Sequence, residues 1–104
     1  MLVTVKSREV QRGMLAELRG DRPVAARHLL AAAHLELVLA NDYEQAGEEE
    51  LSLRSGLSAA SCFWRAGRAD QAQDLIGDLL RRYPARASSI QAVLTELETN
   101  YPTP

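Results

Sequence analysis

The stretch Ala66-Gly67-Arg68-Ala69-Asp70-Gln71-Ala72 separates two segments that both have helical periodicity. Glycine often ends α-helices, as Gly67 is expected to do here, because it adopts the left-handed backbone conformation without steric cost. After the turn, apolar residues recur at spacings of three and four, at Ala72, Leu75, Ile76, Leu79, Leu80 and Tyr83. This pattern predicts two antiparallel helices joined by a short turn.

Glycine, asparagine and proline at other positions divide the rest of the chain into further helices. Breaks are expected at Gly20-Asp21, at Asn41-Asp42 and at Pro84. The predicted helices run from about Thr4 to Arg19, from Asp21 or Arg22 to Ala40, from Asp42 or Tyr43 to Ala66, from Ala69 to Tyr83 and from Arg86 to Thr99. No strand-like alternation extends beyond the first five residues. The sequence therefore predicts an all-α fold of about five helices in antiparallel hairpins.

The third predicted helix has two open questions. Gly47 and Gly56 fall inside it, and each costs about 1 kcal/mol relative to alanine. A break near Gly56 is one expectation, and a continuous helix is the other. Asp42 and Gln45 have the spacing of a capping box, which predicts that this helix begins there.

Length, composition and charge limit the classes of protein that this chain can represent. Its 104 residues suit one domain, and its net charge of -2 argues against a dedicated nucleic-acid binder. The single cysteine excludes an intramolecular disulfide and favours a reducing compartment. The nearly apolar run Leu29–Ala40 is too short to span a membrane. These features predict a cytoplasmic, single-domain protein without a membrane contact.

An internal repeat relates the two halves of the chain. Two series of residues have the same steps of seven, five and seven, and all but the last member are glycine or alanine: Gly13, Gly20, Ala25 and Ala32, and Ala60, Gly67, Ala72 and Leu79. With Phe63 before the second turn and Pro84 after the last helix of that series, the pattern resembles a tetratricopeptide (TPR) repeat. The resemblance implies a right-handed superhelix with units at about 4–40 and 43–84 and a capping helix at 86–100. It also implies a protein–protein interaction module or adaptor.

The spacing of the repeat predicts a projection and a partner. Gly67 follows Gly20 by 47 residues, whereas TPR units recur at about 34 residues. The surplus predicts that a hairpin between Ala33 and about Leu51 extends beyond the body, and a shifted capping register or a short extra helix would account for it equally well. Its first arm is apolar on nearly every side, and arrays of this kind usually need three units. We therefore expect a homodimer through Leu35, Val38 and Leu39. The alternative is that the first residues cover this surface, by means of Leu2, Val3 and Val5.

Candidate catalytic and metal-binding residues have structural explanations. Cys62 lies in an apolar stretch and is interpreted as a small buried hydrophobe. His28 and His34 are six residues apart and point to different helix faces, so they do not form a helical metal-ligand pair. The acids Glu48, Glu49 and Glu50 are interpreted as a solvated face near a helix N-terminus. The sequence predicts no enzyme, cofactor or metal.

The TPR resemblance implies a concave groove lined by the first helix of each unit. The residues that it places there are Val10, Met14, Arg54, Leu57, Ser61, Trp64 and Arg65. Trp64 belongs either to this groove or to the core or dimer contact. A partner would be a peptide or helix of another protein. The alternative function is a regulatory or nucleic-acid-associated helical protein that uses the C-terminal arginines Arg65, Arg68, Arg81, Arg82 and Arg86.

Overall fold

Five α-helices and one short 3₁₀ turn make up the computed structural model, which describes residues 2–103 and, within them, the side chains of residues 5 and 7–103. The elements are α1 (Leu2–Leu18), α2 (Arg22–Gln45), α3 (Glu49–Arg65), α4 (Ala69–Arg82), the 3₁₀ turn Pro84–Arg86 and α5 (Ala87–Asn100). Residues 2–103 contain no strand. The predicted all-α fold of five helices is confirmed.

Three turns between helices have the same backbone geometry. Gly20, Gly47 and Gly67 have φ angles of 74°, 77° and 84°, in the left-handed region. In each turn the glycine N–H donates to a carbonyl three residues earlier, and the next N–H donates to one five residues earlier. At Gly67 these bonds measure 3.0 Å to the Trp64 carbonyl and 2.8 Å from Arg68 to the Phe63 carbonyl. These are Schellman turns, which satisfy the last carbonyls of α1, α2 and α3.

The break expected at Asn41-Asp42 is wrong. α2 continues through both residues to Gln45, so Asp42 and Gln45 do not form a capping box. Asparagine and aspartate cost a helix interior no more than about 0.7 kcal/mol each, which the packing of α2 overcomes. Gly47 provides the turn instead, outside the helices, whereas Gly56 lies within an unbroken α3.

α2 occupies the middle of the molecule. It packs against α1 on one side and α3 on the other, while α4 packs on α3, and α5 packs on both α3 and α4. The residues of α2 that are buried by these neighbours are Ala25, Leu29, Ala32, Ala33, Glu36 and Leu39. The result is a flat arrangement, with Cα dimensions of 39 × 33 × 16 Å.

Two further glycines allow neighbouring helices to cross closely. A Cβ atom at Gly13 of α1 would stand 3.1 Å from Cγ of Leu29 in α2. A Cβ atom at Gly56 of α3 would stand 3.1 Å from Cδ2 of Leu79 in α4. Because both distances are shorter than an ordinary carbon–carbon contact of about 3.5 to 4.0 Å, a side chain at either position would displace its neighbour.

The tip of the α2–α3 hairpin is held against the rest of the molecule. Arg82 at the end of α4 pairs with Glu44, and Arg86 pairs with Glu50, to which its Nη2 also donates at 3.3 Å. Ser52 Oγ, which is buried, donates to the Ala40 carbonyl oxygen at 2.8 Å. The expected projection between Ala33 and Leu51 is therefore wrong, because α4 and the 3₁₀ turn contact its end.

α2 is long enough and apolar enough to cross a membrane by length and composition. The apolar run Leu29–Ala40, which is by itself too short to span a membrane, is only part of this helix. The core helix of a soluble protein passes the same test, and one such helix is weak evidence for a membrane. The cytoplasmic location therefore stays a prediction.

Two Gly→Ala variants test the position of the second turn. Gly47→Ala is expected to lower the free energy of unfolding by about 1–2 kcal/mol, because alanine must adopt the left-handed conformation. Gly77→Ala, inside α4 with only Arg81 Nη1 near the added Cβ at 3.8 Å, is the control. It should raise the free energy of unfolding by about 0.5–1 kcal/mol. Chemical denaturation measures both; stabilisation by Gly47→Ala would place Gly47 inside a helix.

The Arg86–Glu50 pair predicts a pH effect. The hydrogen bond from Arg86 holds the pKa of Glu50 below its ordinary value. The pair therefore stabilises the fold above the ordinary carboxyl pKa range, and this contribution disappears as the pH falls through the lowered pKa of Glu50. In Arg86→Ala the pKa of Glu50 should rise towards its ordinary value, as NMR titration of the side-chain carboxyl carbon measures. In the control Arg81→Ala, which affects an arginine paired with Asp78, the pKa of Glu50 should stay low.

Candidate functional site

A cleft of about 420 Å³ separates α1 from α3. It exists because both helices pack on α2 and, within the described residues, not on each other. The residues that line it are Ser7, Val10 and Gln11 from α1, Glu36 from α2, and Ser58, Ser61 and Cys62 from α3. Its walls are therefore mostly small or polar, with Val10 as the apolar residue of the α1 wall.

A buried acid of α2 and a buried thiol of α3 line the cleft. Glu36 is 4% exposed and continues the buried face of α2 that Leu29 and Ala32 begin. Cys62 is also buried, as the sequence predicted. Glu36 was not among the predicted site residues. The available signal was its register, because positions 29, 32, 36 and 39 all fall on one face of a helix.

Arg65 joins the walls beyond one end of the cleft. Its Nη2 donates to both carboxylate oxygens of Glu17 in α1, at 3.1 and 3.0 Å. Its guanidinium carbon lies 5.1 Å from the centre of the Tyr101 ring. Its Nε is buried and has no acceptor among the described atoms. A second pocket, of about 680 Å³, lies on the far side of this ion pair and is lined in part by Trp64, Arg65 and Tyr101.

Trp64 belongs to the core and not to an open groove. It is 5% exposed, and its Nε1–H donates to the Tyr101 carbonyl oxygen at 2.6 Å. This bond fixes the chain just after the end of α5 against the end of α3. The groove position predicted for Trp64 is therefore wrong. The alternative prediction, that Trp64 belongs to the core, agrees with its burial.

The other predicted groove residues do not form one continuous surface. Val10 and Ser61 face each other across the cleft. Met14 is exposed on α1, and Arg54 is exposed on α3. Leu57 is half-buried and packs against the hydrophobic core. The cleft thus brings together Val10 and Ser61, with Arg65 just beyond its end.

The predicted dimer surface is mostly covered within the single chain. Leu39 is 8% exposed and Leu35 is half-buried, whereas Val38 is 47% exposed. Antiparallel packing brings the start of α1 alongside this part of α2, because Glu9 contacts His28 and Gly13 contacts Leu29. The prediction that Leu39 belongs to a dimer surface is therefore wrong, because its side chain is buried within the single chain. The alternative cover by Leu2 and Val3 involves side chains outside the described residues, and Val5 is exposed.

Carboxylates surround most of the C-terminal arginine cluster. Arg65 pairs with Glu17, and Arg86 pairs with Glu50. Arg82 pairs with Glu44 and lies 4.0 Å from Asp78, which also pairs with Arg81. Such pairing lowers the positive potential that a phosphate backbone requires.

Both histidines contact neighbours within the fold. His28 Nδ1 lies 2.6 Å from Glu9 Oε2, and the His34 ring meets Phe63 edge-on, with ring centres 5.5 Å apart. Within the part of the chain that the structure describes, no three His, Cys, Asp or Glu residues are grouped to hold a metal ion.

No protein-family model matches the chain, and neither a curated protein nor a solved structure matches it. The cleft between α1 and α3, its rim and the exposed faces of the helices are therefore the basis for assigning a function.

The Trp64 hydrogen bond predicts coupling between α3 and the C-terminal segment. Trp64→Phe should lower the free energy of unfolding by about 1–3 kcal/mol, because it removes a buried hydrogen bond and ring volume. In a chain that ends at Asn100 the same substitution should cost about 1 kcal/mol less, because the acceptor is absent.

Tyr101→Ala is the control for this double-mutant cycle. It retains the carbonyl group, so its coupling to Trp64→Phe should stay below about 0.5 kcal/mol. Equal costs of Trp64→Phe in the full and the shortened chain, measured by urea denaturation, would contradict the assigned hydrogen bond.

Proposed function

We propose that this chain is a small helical-repeat interaction module, of the TPR-like kind, which binds a peptide or helix of another protein in the α1–α3 cleft. The cleft itself carries the proposal, because it opens between two helices that both rest on α2. Its volume lies within the range of about 300–1,000 Å³ that is typical of ligand pockets.

The composition of the cleft suits a ligand that has both apolar and hydrogen-bonding groups. Ser58 and Ser61 lie three residues apart on α3, so both face the ligand and leave it room. Gln11 on the facing helix can donate and accept hydrogen bonds, and Val10 supplies an apolar contact. A peptide backbone with a small apolar side chain has this combination of groups.

The equivalent positions of the two repeat units support the TPR-like part of the proposal. Gly20 and Gly67 share a left-handed turn. Ala25 and Ala72, five residues after these glycines, are both buried. In this interpretation α1 and α3 are the first helices of their units, which line the groove in TPR-like arrays. The second unit begins in α3 and not at residue 43, because α2 extends to Gln45.

The proposed role is binding without catalysis, in the cytoplasm. The nucleic-acid alternative has less support, because the arginines on which it rests are largely paired with acids. Self-association through Leu35 and Val38 remains part of the expectation, with Val38 as its exposed residue.

Peptide selection tests the cleft. Peptides from a displayed random library would be selected on the wild-type chain, and their affinities then measured for two variants. Ser58→Trp fills the cleft from its rim, and Ser88→Trp is the matched control, because Ser88 is an exposed serine on α5 outside the cleft. Ser58→Trp should raise the Kd by about tenfold or more, equivalent to about 1.4 kcal/mol.

The control variant should bind the selected peptides like the wild type. Circular dichroism of both variants shows whether they retain the helical fold. Failure to select any peptide, or selected peptides that bind Ser58→Trp as well as the wild type, would contradict binding in the cleft.

A further inference from the structure

The outer face of α1 exposes a cluster of large apolar side chains, called here the α1 ridge and formed by Met14, Leu15 and Leu18. Leu18 is 85% exposed, and Met14 and Leu15 are each about half exposed. Leu18 is three and four residues from the other two, so all three share a face. That face lies opposite Gly13 and Ala16, which are buried against α2. Within the described chain, α1 packs on no helix other than α2.

A row of arginines runs beside the α1 ridge. Arg8, Arg12 and Arg19 are exposed and spaced by four and seven residues, which keeps them on one side of the helix. Arg12 reaches Glu9 at 3.4 Å. Among the described side chains, no carboxylate lies within ion-pair distance of Arg8 or Arg19. This flank of the ridge is therefore positively charged.

The acids of α1 neutralise this flank only in part, because Glu9 pairs with Arg12 but no described acid of α1 pairs with Arg8 or Arg19. Glu9 also contacts His28, at 2.6 Å, through its other carboxylate oxygen, and Glu17 is directed towards Arg65, at 3.0 Å. Apolar anchors beside unneutralised arginines are complementary to a helix that carries leucines along one stripe and acids along the next.

We propose that the α1 ridge binds an acidic amphipathic helix of another protein. Its apolar stripe packs on Met14, Leu15 and Leu18, and its carboxylates pair with Arg8, Arg12 and Arg19. The ridge follows the cleft-lining residues of α1 towards the C-terminal end of that helix, and none of its three residues lines the α1–α3 cleft. The inference therefore does not require the function proposed for the cleft.

Two other occupants fit the ridge less well. A second copy placed antiparallel across it would bring one row of arginines against the same row of its partner, and like charges at an interface are unfavourable. A lipid surface would meet a short apolar stripe, because positions 14 to 18 span only about 6 Å of helix. Membrane affinity of such helices increases with the apolar area that they bury.

Synthetic peptides of defined charge test the proposal. The probe is a labelled helical peptide with leucines at i, i+3, i+4 and i+7 and glutamates beside them, and the control peptide carries lysines in place of the glutamates. Fluorescence anisotropy with the full chain should give a Kd about tenfold lower for the glutamate peptide, a difference of about 1.4 kcal/mol. Equal binding of the two peptides would overturn the proposal.

Variants of the ridge locate the binding. Leu18→Ser should weaken binding of the glutamate peptide about tenfold, and Leu51→Ser, which changes an exposed leucine on α3, should not. The double variant Arg8→Glu with Arg19→Glu should reverse the preference and bind the lysine peptide more tightly. Arg68→Glu, at an exposed arginine outside the ridge, should leave the preference unchanged. An unchanged preference in the double variant would overturn the proposal.

Two further measurements decide between occupants and surfaces. Sedimentation that shows a dimer abolished by Leu18→Ser would assign the ridge to a second copy and overturn the proposal. Binding to vesicles of phosphatidylcholine and phosphatidylserine, with no preference between the two peptides, would overturn it in favour of a lipid surface. Ser58→Trp should leave binding of the glutamate peptide unchanged, so failure of the cleft and failure of the ridge are distinguishable.

Discussion

The close packing of α1 and α3 on α2 is the constraint on which the rest of the structure depends. Small residues make it possible. Gly13 lies directly against Leu29, and four alanines are fully buried, namely Ala32, Ala33, Ala59 and Ala60. Since both neighbours pack on α2 and, in the part of the chain that the structure describes, not on each other, they leave a cleft between them that Glu36 of α2 also lines. The same arrangement leaves the outer face of α1 uncovered, since no helix of the described chain lies beyond it.

The charges are distributed unevenly between the two halves of the chain. Residues 1–35 contain six basic and three acidic residues, whereas residues 36–104 contain six basic and eleven acidic ones. The arginines of the second half are largely paired with acids near the hairpin tip, as Arg82 is with Glu44. On α1, Glu9 contacts both Arg12 and His28, while no carboxylate among the described side chains lies within ion-pair distance of Arg8 or Arg19. Arg8 and Arg19 are therefore available to a partner beside the α1 ridge, although the densest sequence cluster of arginines lies in the C-terminal half.

Local sequence signals were sufficient to predict most of the helices, but they were not sufficient to predict which residues other helices bury. Gly20 and Gly67 could be recognised because each follows a helical pattern and comes five residues before an alanine of the next one, and the turns lie where they predict. The turn at Gly47 was not recognised, because the acids on both sides of it are as typical of the first turns of a helix as of a turn between helices. The burial of Leu39 requires the helices that pack on α2, and Trp64 is held by the segment after α5. These contacts are distant in sequence, so periodicity within one helix could not show them.

The two walls of the cleft are held with different strength. α3 packs on α2, α4 and α5, so three neighbours fix its position. α1 packs on α2, and its C-terminal end is joined to α3 by the Glu17–Arg65 pair. An ion pair that is partly open to solvent contributes at most about 1 kcal/mol, much less than the packing that holds α3. The width of the cleft therefore depends on α1, which is also the helix that carries the ridge. A helix that binds the ridge would therefore contact α1, the less firmly held wall of the cleft, and would affect the width of the cleft.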